Sequence, residues 1–424
     1  MTNALIVKNF FSFLILFFCF FNGYYAQLPE LKIKVTKYKN GNIKTEAQYL
    51  DTVKHGFWRE YYENGVKWVE GFYKHGVMDS VWTTWFNDGT LKSKIFVKNG
   101  PTEIYFKNGN FLKKGQLVNG LKEGEWISYF EDGKIESKGN YEKDKKTGHW
   151  YFYRPTGELD MEGDFLNDLQ NDEWIYYYRS GKIYTKGKFV QGNQEGEWVY
   201  YYDSDDKLIL KRGSFINGKK EGLWTTWFEN GNILQQGNYL NGKEEGKWVA
   251  YYMNGKIKDE GSYKNGLMDG LWIGYYPTGN LNYKGYRKNG EREGVWEFYN
   301  QKGALIEKTS FKNGKKDGQH FLWNDKGNLK EQGFYVNDKR LGKWIYYYDF
   351  GAPYCEEEYD ANGKLTGKRI IYYDKNNQPQ QITHYKNGKP HGKCKVYDEK
   401  GKLIYMSVFK EGKKIKETDL ITPK

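Results

Sequence analysis

Few residues of this 424-residue chain combine the types and the spacing that chemistry requires. His391-Gly392-Lys393-Cys394 offers an imidazole and a thiol three residues apart. A structural zinc needs four such ligands, and no second pair accompanies these two. His391 moreover falls in a recurring position filled elsewhere by His55, Glu123, Glu221, Glu245 and Asp317. Carboxylates one whole repeat apart can neither share a proton nor flank a glycosidic bond. Asp203-Ser204-Asp205-Asp206 opens like a calcium loop but lacks the glycine and the closing glutamate, so it reads as an elongated turn. There is no Gly-x-Ser-x-Gly, no phosphate-binding glycine loop and no nucleophile beside a base. The expectation is a protein that is not an enzyme, with no cofactor and no metal.

The elements that carry these residues are repeats. Taking Trp as position zero, the slot falls at 58, 82, 126, 150, 174, 198, 224, 248, 272, 296 and 344, with Ile104, His320, Arg369 and Cys394 as substitutes. The step is 24 residues almost throughout, which gives about fifteen units between residues 36 and 412. Each unit reads G-x-W-x-x-Y-Y-x-N-G-x-[LI]-x-x-x-G-x-Y-x-N-G. Asn-Gly between alternating apolar runs is a hairpin signal, because both residues of a type I′ turn need positive φ. A two-residue loop at Asn254-Gly255 places Trp248 opposite Gly261, Tyr252 opposite Ile257 and Gly246 opposite Tyr263, so that large rings cover glycines across the strands. The second strand alternates: Leu159, Met161, Gly163 and Phe165 point one way, and Glu158, Asp160, Glu162 and Asp164 the other. No segment has helical periodicity. The fold class that follows is all-β: an elongated single antiparallel sheet of about fifteen tandem β-hairpins, each leaning on its neighbours. At roughly 9.6 Å per hairpin it would run about 140 Å before twist.

Residues 1–26 have the basic, apolar and small-residue regions of a signal peptide, with cleavage near Ala26. The expected order is this segment, a lead-in over 27–35, the repeat array over 36–412 and a tail over 413–424. The mature protein is expected to be exported, to the periplasm, the outer surface or the medium. Only Cys355 and Cys394 remain after cleavage, which is no disulfide framework. The formal charge of +12 is dispersed, except that residues 361–416 hold fourteen Lys/Arg against four acids. Lys368, Arg369, Lys393, Lys395, Lys413 and Lys414 are the candidate contacts there for an anionic surface. Nucleic acid is not expected as a partner of an exported chain.

The position three after the slot holds a second series of rings: Tyr61, Trp85, Tyr129, Tyr153, Tyr177, Tyr201, Trp227, Tyr251, Tyr275, Tyr299, Trp323 and Tyr347, continued by Tyr372 and Tyr397. By alternation these face away from the slot tryptophans. They form either a structural ladder or a platform for a sugar, a cationic headgroup or a protein. Position four is less uniform, with Arg154, Asn300, Asn324 and Asp398 intruding.

Segments such as EGEWISYFEDGKIESKGNY (123–141) and EGLWTTWFENGNILQQGNY (221–239) resemble the bacterial variant of the MORN (membrane occupation and recognition nexus) repeat over almost the whole mature chain. The resemblance implies hairpin rods that act as scaffolds, and membrane-lipid binding. It also implies an antitoxin role, which fits a cytoplasmic protein better than one with a signal peptide. Three functions are therefore carried forward. One is an exported scaffold that binds a protein or itself. The second is an envelope-binding protein, through lipid at the basic end or glycan at the rings. The third is an antitoxin-like or immunity-like partner of an effector.

Overall fold

The computed structural model describes residues 30–420, so the expected signal peptide lies outside the described residues. Every regular element among them is a β-strand, 34 in all. The chain divides into two compact units at Gly133/Lys134. The first holds nine strands, from Leu31–Lys37 to Leu121–Tyr129, and the second twenty-five, from Ile135–Glu142 to Lys413–Asp419. Within each, consecutive strands are antiparallel in an open sheet of hairpins, as the periodicity predicts.

The register matches the sequence reading at its centre and departs from it at the turns. Trp248 pairs with Gly261 and Gly246 with Tyr263. Near Asn254-Gly255, however, Tyr251 rather than Tyr252 pairs with Ile257. Gly255 N–H donates to Tyr252 C=O (2.9 Å), Tyr252 N–H to Lys256 C=O (2.8 Å), and only Gly255 has positive φ (+80°). This is a three-residue loop, a type I turn closed by a left-handed glycine. The extra loop residue is compensated by one extra residue, Lys258, in the returning strand. The type I′ turn belongs to the other Asn-Gly of the repeat: Asn265 and Gly266 have φ of +53° and +84°, and Lys264 pairs with Leu267.

The glycine cover also differs in its source. Gly261 pairs with Trp248, but the ring lying on it is that of Trp272 in the next hairpin. The pattern recurs: Trp150 lies on Gly139, Trp174 on Gly163, Trp198 on Gly187. Each indole N–H then reaches the carbonyl just after that glycine, as in Trp174 Nε1 to Asp164 O at 2.9 Å and Trp198 Nε1 to Lys188 O at 3.2 Å. Gly246 is uncovered. It adopts φ +70° in a bulge that sets two residues of its strand against the junction between Gly237 and Asn238.

Pairing also relocates one slot. Thr102, not Ile104, lies opposite Gly115, and Ile95 pairs with Thr102. This hairpin is shortened before the slot, which hides the register from a fixed ruler. The correction makes Tyr105 the ring three after that slot.

Candidate functional site

The two faces of the sheet use different chemistry. On the tryptophan face, Phe and Tyr rings from the second strands stand edge-on between successive indoles: Phe165 is 6.0 Å from Trp150 at 82° and 5.1 Å from Trp174 at 89°. A cation four residues before the slot caps many of these clusters. Lys146 Nζ is 4.7 Å from the Trp150 ring, Lys220 4.5 Å from Trp224, and the Arg292 guanidinium 4.8 Å from Trp296. Sequence reasoning missed this position, although a Lys or Arg four before a Trp is visible in several repeats.

The acids three before the slot are committed to the backbone. Glu221 accepts from Asn241 N–H (2.8 Å), Glu245 from Asn265 N–H (2.8 Å) and Glu293 from Asn313 N–H (3.0 Å). His391, in the same position, lies 3.4 Å from Glu411 N–H through Nδ1. Each thereby ties down a type I′ turn of its neighbour, which accounts for the recurrent Glu-Gly before the Trp. Asp203 and Asp205 flank Lys182 at 4.0 and 3.0 Å, in a turn closed from Tyr202 N–H to Leu208 C=O, which is the elongated turn expected. Cys355 and Cys394 are free and buried. Burial pushes the Cys355 thiol above its ordinary range, and Cys394 Sγ lies 3.2 Å from Thr383 Oγ1.

The candidate rings at Tyr61, Trp85, Tyr129, Tyr153, Tyr177, Tyr201, Trp227, Tyr251, Tyr275, Tyr299, Trp323 and Tyr347 are all half-buried on the opposite face. Many are engaged by the residue fifteen earlier. Where that residue is Glu or Gln it meets the hydroxyl: Tyr61 donates to Glu46 (2.9 Å), Tyr275 to Glu260 (3.0 Å), and Gln332 donates to Tyr347 (2.7 Å). In some repeats where it is a cation it covers the ring, as Lys114 does Tyr129 and Arg212 does Trp227. Burial first, then the carboxylate, raises the Tyr61 and Tyr275 phenols above their usual value, so they remain donors at neutral pH.

Position four turns out to be an inter-hairpin staple. Tyr62, Tyr178, Tyr252 and Tyr276 each donate to the carbonyl of the ring position in the next repeat, at 2.7–2.9 Å. Arg154 replaces Tyr there and reaches the same target, Tyr177 C=O, at 2.6 Å. Turn asparagines add a parallel staple, Asn64 to Asn87 C=O at 2.8 Å and Asn230 to Met253 C=O at 3.1 Å.

Two features of the ring face were not foreseen or only partly foreseen. Beside the type I′ turns runs a row of exposed aliphatics, including the cross-strand pair Leu166 (53% exposed) and Leu169 (48%), then Val190, Ile216, Leu240 and Leu267. Their signal is an aliphatic immediately flanking the second Asn-Gly. At the basic end, Arg369 occupies a slot position and pairs with Glu357 at 3.0 Å, and Lys414 pairs with Glu417. Lys368, Lys393, Lys395 and Lys413 alternate onto the ring face and hold no ion pair among the described residues.

Seven segments match the family described as MORN repeat variant: residues 54–75, 122–143, 220–241, 244–265, 268–289, 292–313 and 390–411. No curated protein matches the chain. Among solved structures, the TcdB2-TccC3-Cdc42 and TcdB2-TccC3 crystal structures are each 11% identical with a TM-score of 0.15, covering 90% of this chain and 26% and 27% of theirs. The Photorhabdus luminescens Tc holotoxin pore is 11% identical with a TM-score of 0.14, covering 89% of this chain and 23% of its own. The chain thus spans about a quarter of the length of the solved chains it matches, and at these scores the likeness carries no argument.

Proposed function

We propose that this protein is an exported, non-enzymatic repeat scaffold that binds another protein or a second copy of itself through its ring face. The observation that carries the reading is the aliphatic row. Leu166, Leu169, Ile216 and Leu240 are each about half exposed beside successive or nearby type I′ turns, on the same face as the half-buried rings but at the other end of the strands. Exposed aliphatics repeated along one face, here interleaved with polar partners such as Lys219 and Lys243, suit a protein-binding surface. The acids, phenols and asparagines that could support chemistry instead join one hairpin to the next. The matched repeats support a scaffold, and the apolar leader in residues 1–26 supports export.

The test is a crosslinking pulldown from the native envelope, comparing the intact chain with a variant carrying Leu166→Ser, Ile216→Ser and Leu240→Ser, alongside sedimentation velocity for self-association. The scaffold reading expects a protein, or a self-associated species, that the variant loses. Recovery of nothing beyond background, with a monomer in sedimentation, would reject it.

A second reading rests on the four unpaired lysines, Lys368, Lys393, Lys395 and Lys413, on one face of the basic end. They suit an anionic lipid surface. Salt-sensitive cosedimentation with anionic vesicles, lost on changing these lysines to Gln, is the expected result. No binding at low salt would remove it.

A further inference from the structure

On the tryptophan face, the residue two after the slot sets a ring beside the slot indole in several repeats, at Phe152, Tyr176, Tyr200, Phe298 and Tyr346. Phe152 stacks on Trp150 (5.9 Å, 25°) and on Trp174 (6.2 Å, 28°), and Tyr176 lies between Trp174 and Trp198 at 6.1 and 6.3 Å. After Trp248 that position is Ala250. Among the described residues no flat ring stacks here; only Tyr263 stands edge-on between the two indoles (5.7 Å from Trp248, 5.3 Å from Trp272), and a cavity of about 290 Å³ opens that Trp248, Tyr263 and Trp272 all line. At the next repeat Gly274 holds the position, but there Tyr283 folds over the glycine and stacks on Trp296 (5.8 Å, 26°), which fills the equivalent space.

Three further departures from the repeat converge on this cavity. Glu244 and Met268 stand where Lys or Arg caps other indoles, so no cation lies over Trp248 or Trp272 among the described residues. Trp248 is only half-buried, unlike Trp224 and Trp272. Arg287 replaces the usual edge-on ring and lines the cavity; its guanidinium donates to Gly290 C=O at 2.8 Å, while its buried Nε has no partner. Gln235, Asp259 and Lys258 complete the wall, and Asp259 already accepts the Tyr283 hydroxyl.

We propose that this cavity binds a pyranose residue carrying a carboxylate. The space lies where Phe152 and Tyr176 stack in their own repeats, beside indoles whose π-faces suit the C–H face of a sugar. An aromatic side chain would fill it equally well but would leave the polar wall unpaired, which costs affinity. A cationic headgroup would meet Arg287 and Lys258 with only Asp259 in compensation. A carboxylate on the sugar satisfies Arg287 by charge-assisted hydrogen bonds.

The test applies the intact protein to an immobilised glycan array containing uronate-bearing and neutral oligosaccharides, followed by calorimetry with the best acidic glycan. Ala250→Phe supplies the ring that Phe152 and Phe298 provide in their repeats and Ala250→Leu fills the space without one; both are expected to keep the melting temperature and to weaken binding by at least about tenfold. Arg287→Gln is expected to abolish the preference for acidic over neutral glycans. Retention of no uronate-bearing glycan by the parent, or binding by both Ala250 variants equal to the parent's, would overturn the proposal. The scaffold reading is untouched by either result, because its variants lie on the opposite face.

Discussion

Replacing Gly163 by alanine isolates the contact on which the fold depends. A Cβ there would lie 2.4 Å from Trp174 Cδ2, 2.5 Å from Cγ and 2.6 Å from Cε2. These are ring atoms, not the end of a flexible chain, and Trp174 is only 1% exposed with its N–H on Asp164 C=O. Overpacking of this kind costs about 1–3 kcal/mol, and complete expulsion of a buried indole sets an upper bound of about 3–5 kcal/mol. An expected cost of about 2–4 kcal/mol follows. Because each hairpin contacts mainly its neighbours, the loss should be local. In hydrogen exchange by mass spectrometry, amides of Leu159–Leu166 and Leu169–Tyr177 should open about one and a half to three decades faster, at 1.4 kcal/mol per tenfold. Those of Glu291–Tyr299 should not change. The chain itself suggests the rescue, since His320 takes the slot where the glycine is Thr309. In a Trp174→His background the alanine should therefore cost less than about 0.5 kcal/mol. An alanine penalty that is equal in both backgrounds, or unchanged exchange in the parent, would refute the steric account.

Three further outcomes follow from the staples and caps. Glu245→Ala removes the acceptor for Asn265 N–H and should cost about 1 kcal/mol, read as faster exchange at that turn. Arg154→Ala strands the Tyr177 carbonyl and should cost about 1–2 kcal/mol in denaturant melts, while Arg154→Tyr, the residue used by other repeats, should stay within about 0.5 kcal/mol of the parent. The Glu297 carboxyl is held down to about 2 from an ordinary 4.5, chiefly by its hydrogen bond with Lys284 and further by Tyr299 and Lys308. A depressed folded-state value means that its contribution is present above about pH 4.5 and is lost as pH falls toward 2. Urea melts of Glu297→Gln should accordingly show a shallower loss than the parent across that window.

The period, the hairpins and the Trp–Gly pairing were legible because each leaves a local trace in the chain. The turn types were not, because each repeat contains two Asn-Gly dipeptides. A three-residue loop with a compensating bulge gives the same central register as a two-residue loop, so the pairing of Trp248 with Gly261 cannot discriminate between them. Thr102 was hidden for a related reason: the shortened strand before it breaks the ruler while the pairing with Gly115 persists. The candidate ring face was legible as a series, but its partners were not. Tyr252 bonds Tyr275 C=O twenty-three residues on, and Tyr275 bonds Glu260 fifteen back. Such offsets place the partner in a different repeat, where periodicity makes every unit look alike.

What periodicity conceals, the exceptions disclose. In the later repeats where the slot is not tryptophan, the covered position is not glycine: Thr309 with His320, Glu357 with Arg369, Thr383 with Cys394. Thr102 likewise faces Ile95. One pair breaks the rule in the other direction, Ala47 with Trp58. There the indole N–H turns to Glu60 at 2.8 Å in place of a backbone carbonyl, and the ring is only half-buried. A single methyl group at the covered position thus accompanies loss of the buried pose, which is the displacement expected on placing a Cβ at Gly163. Glycine and tryptophan in this chain are therefore one unit of information: the indole is buried only where its neighbour eleven residues earlier has no side chain to oppose it.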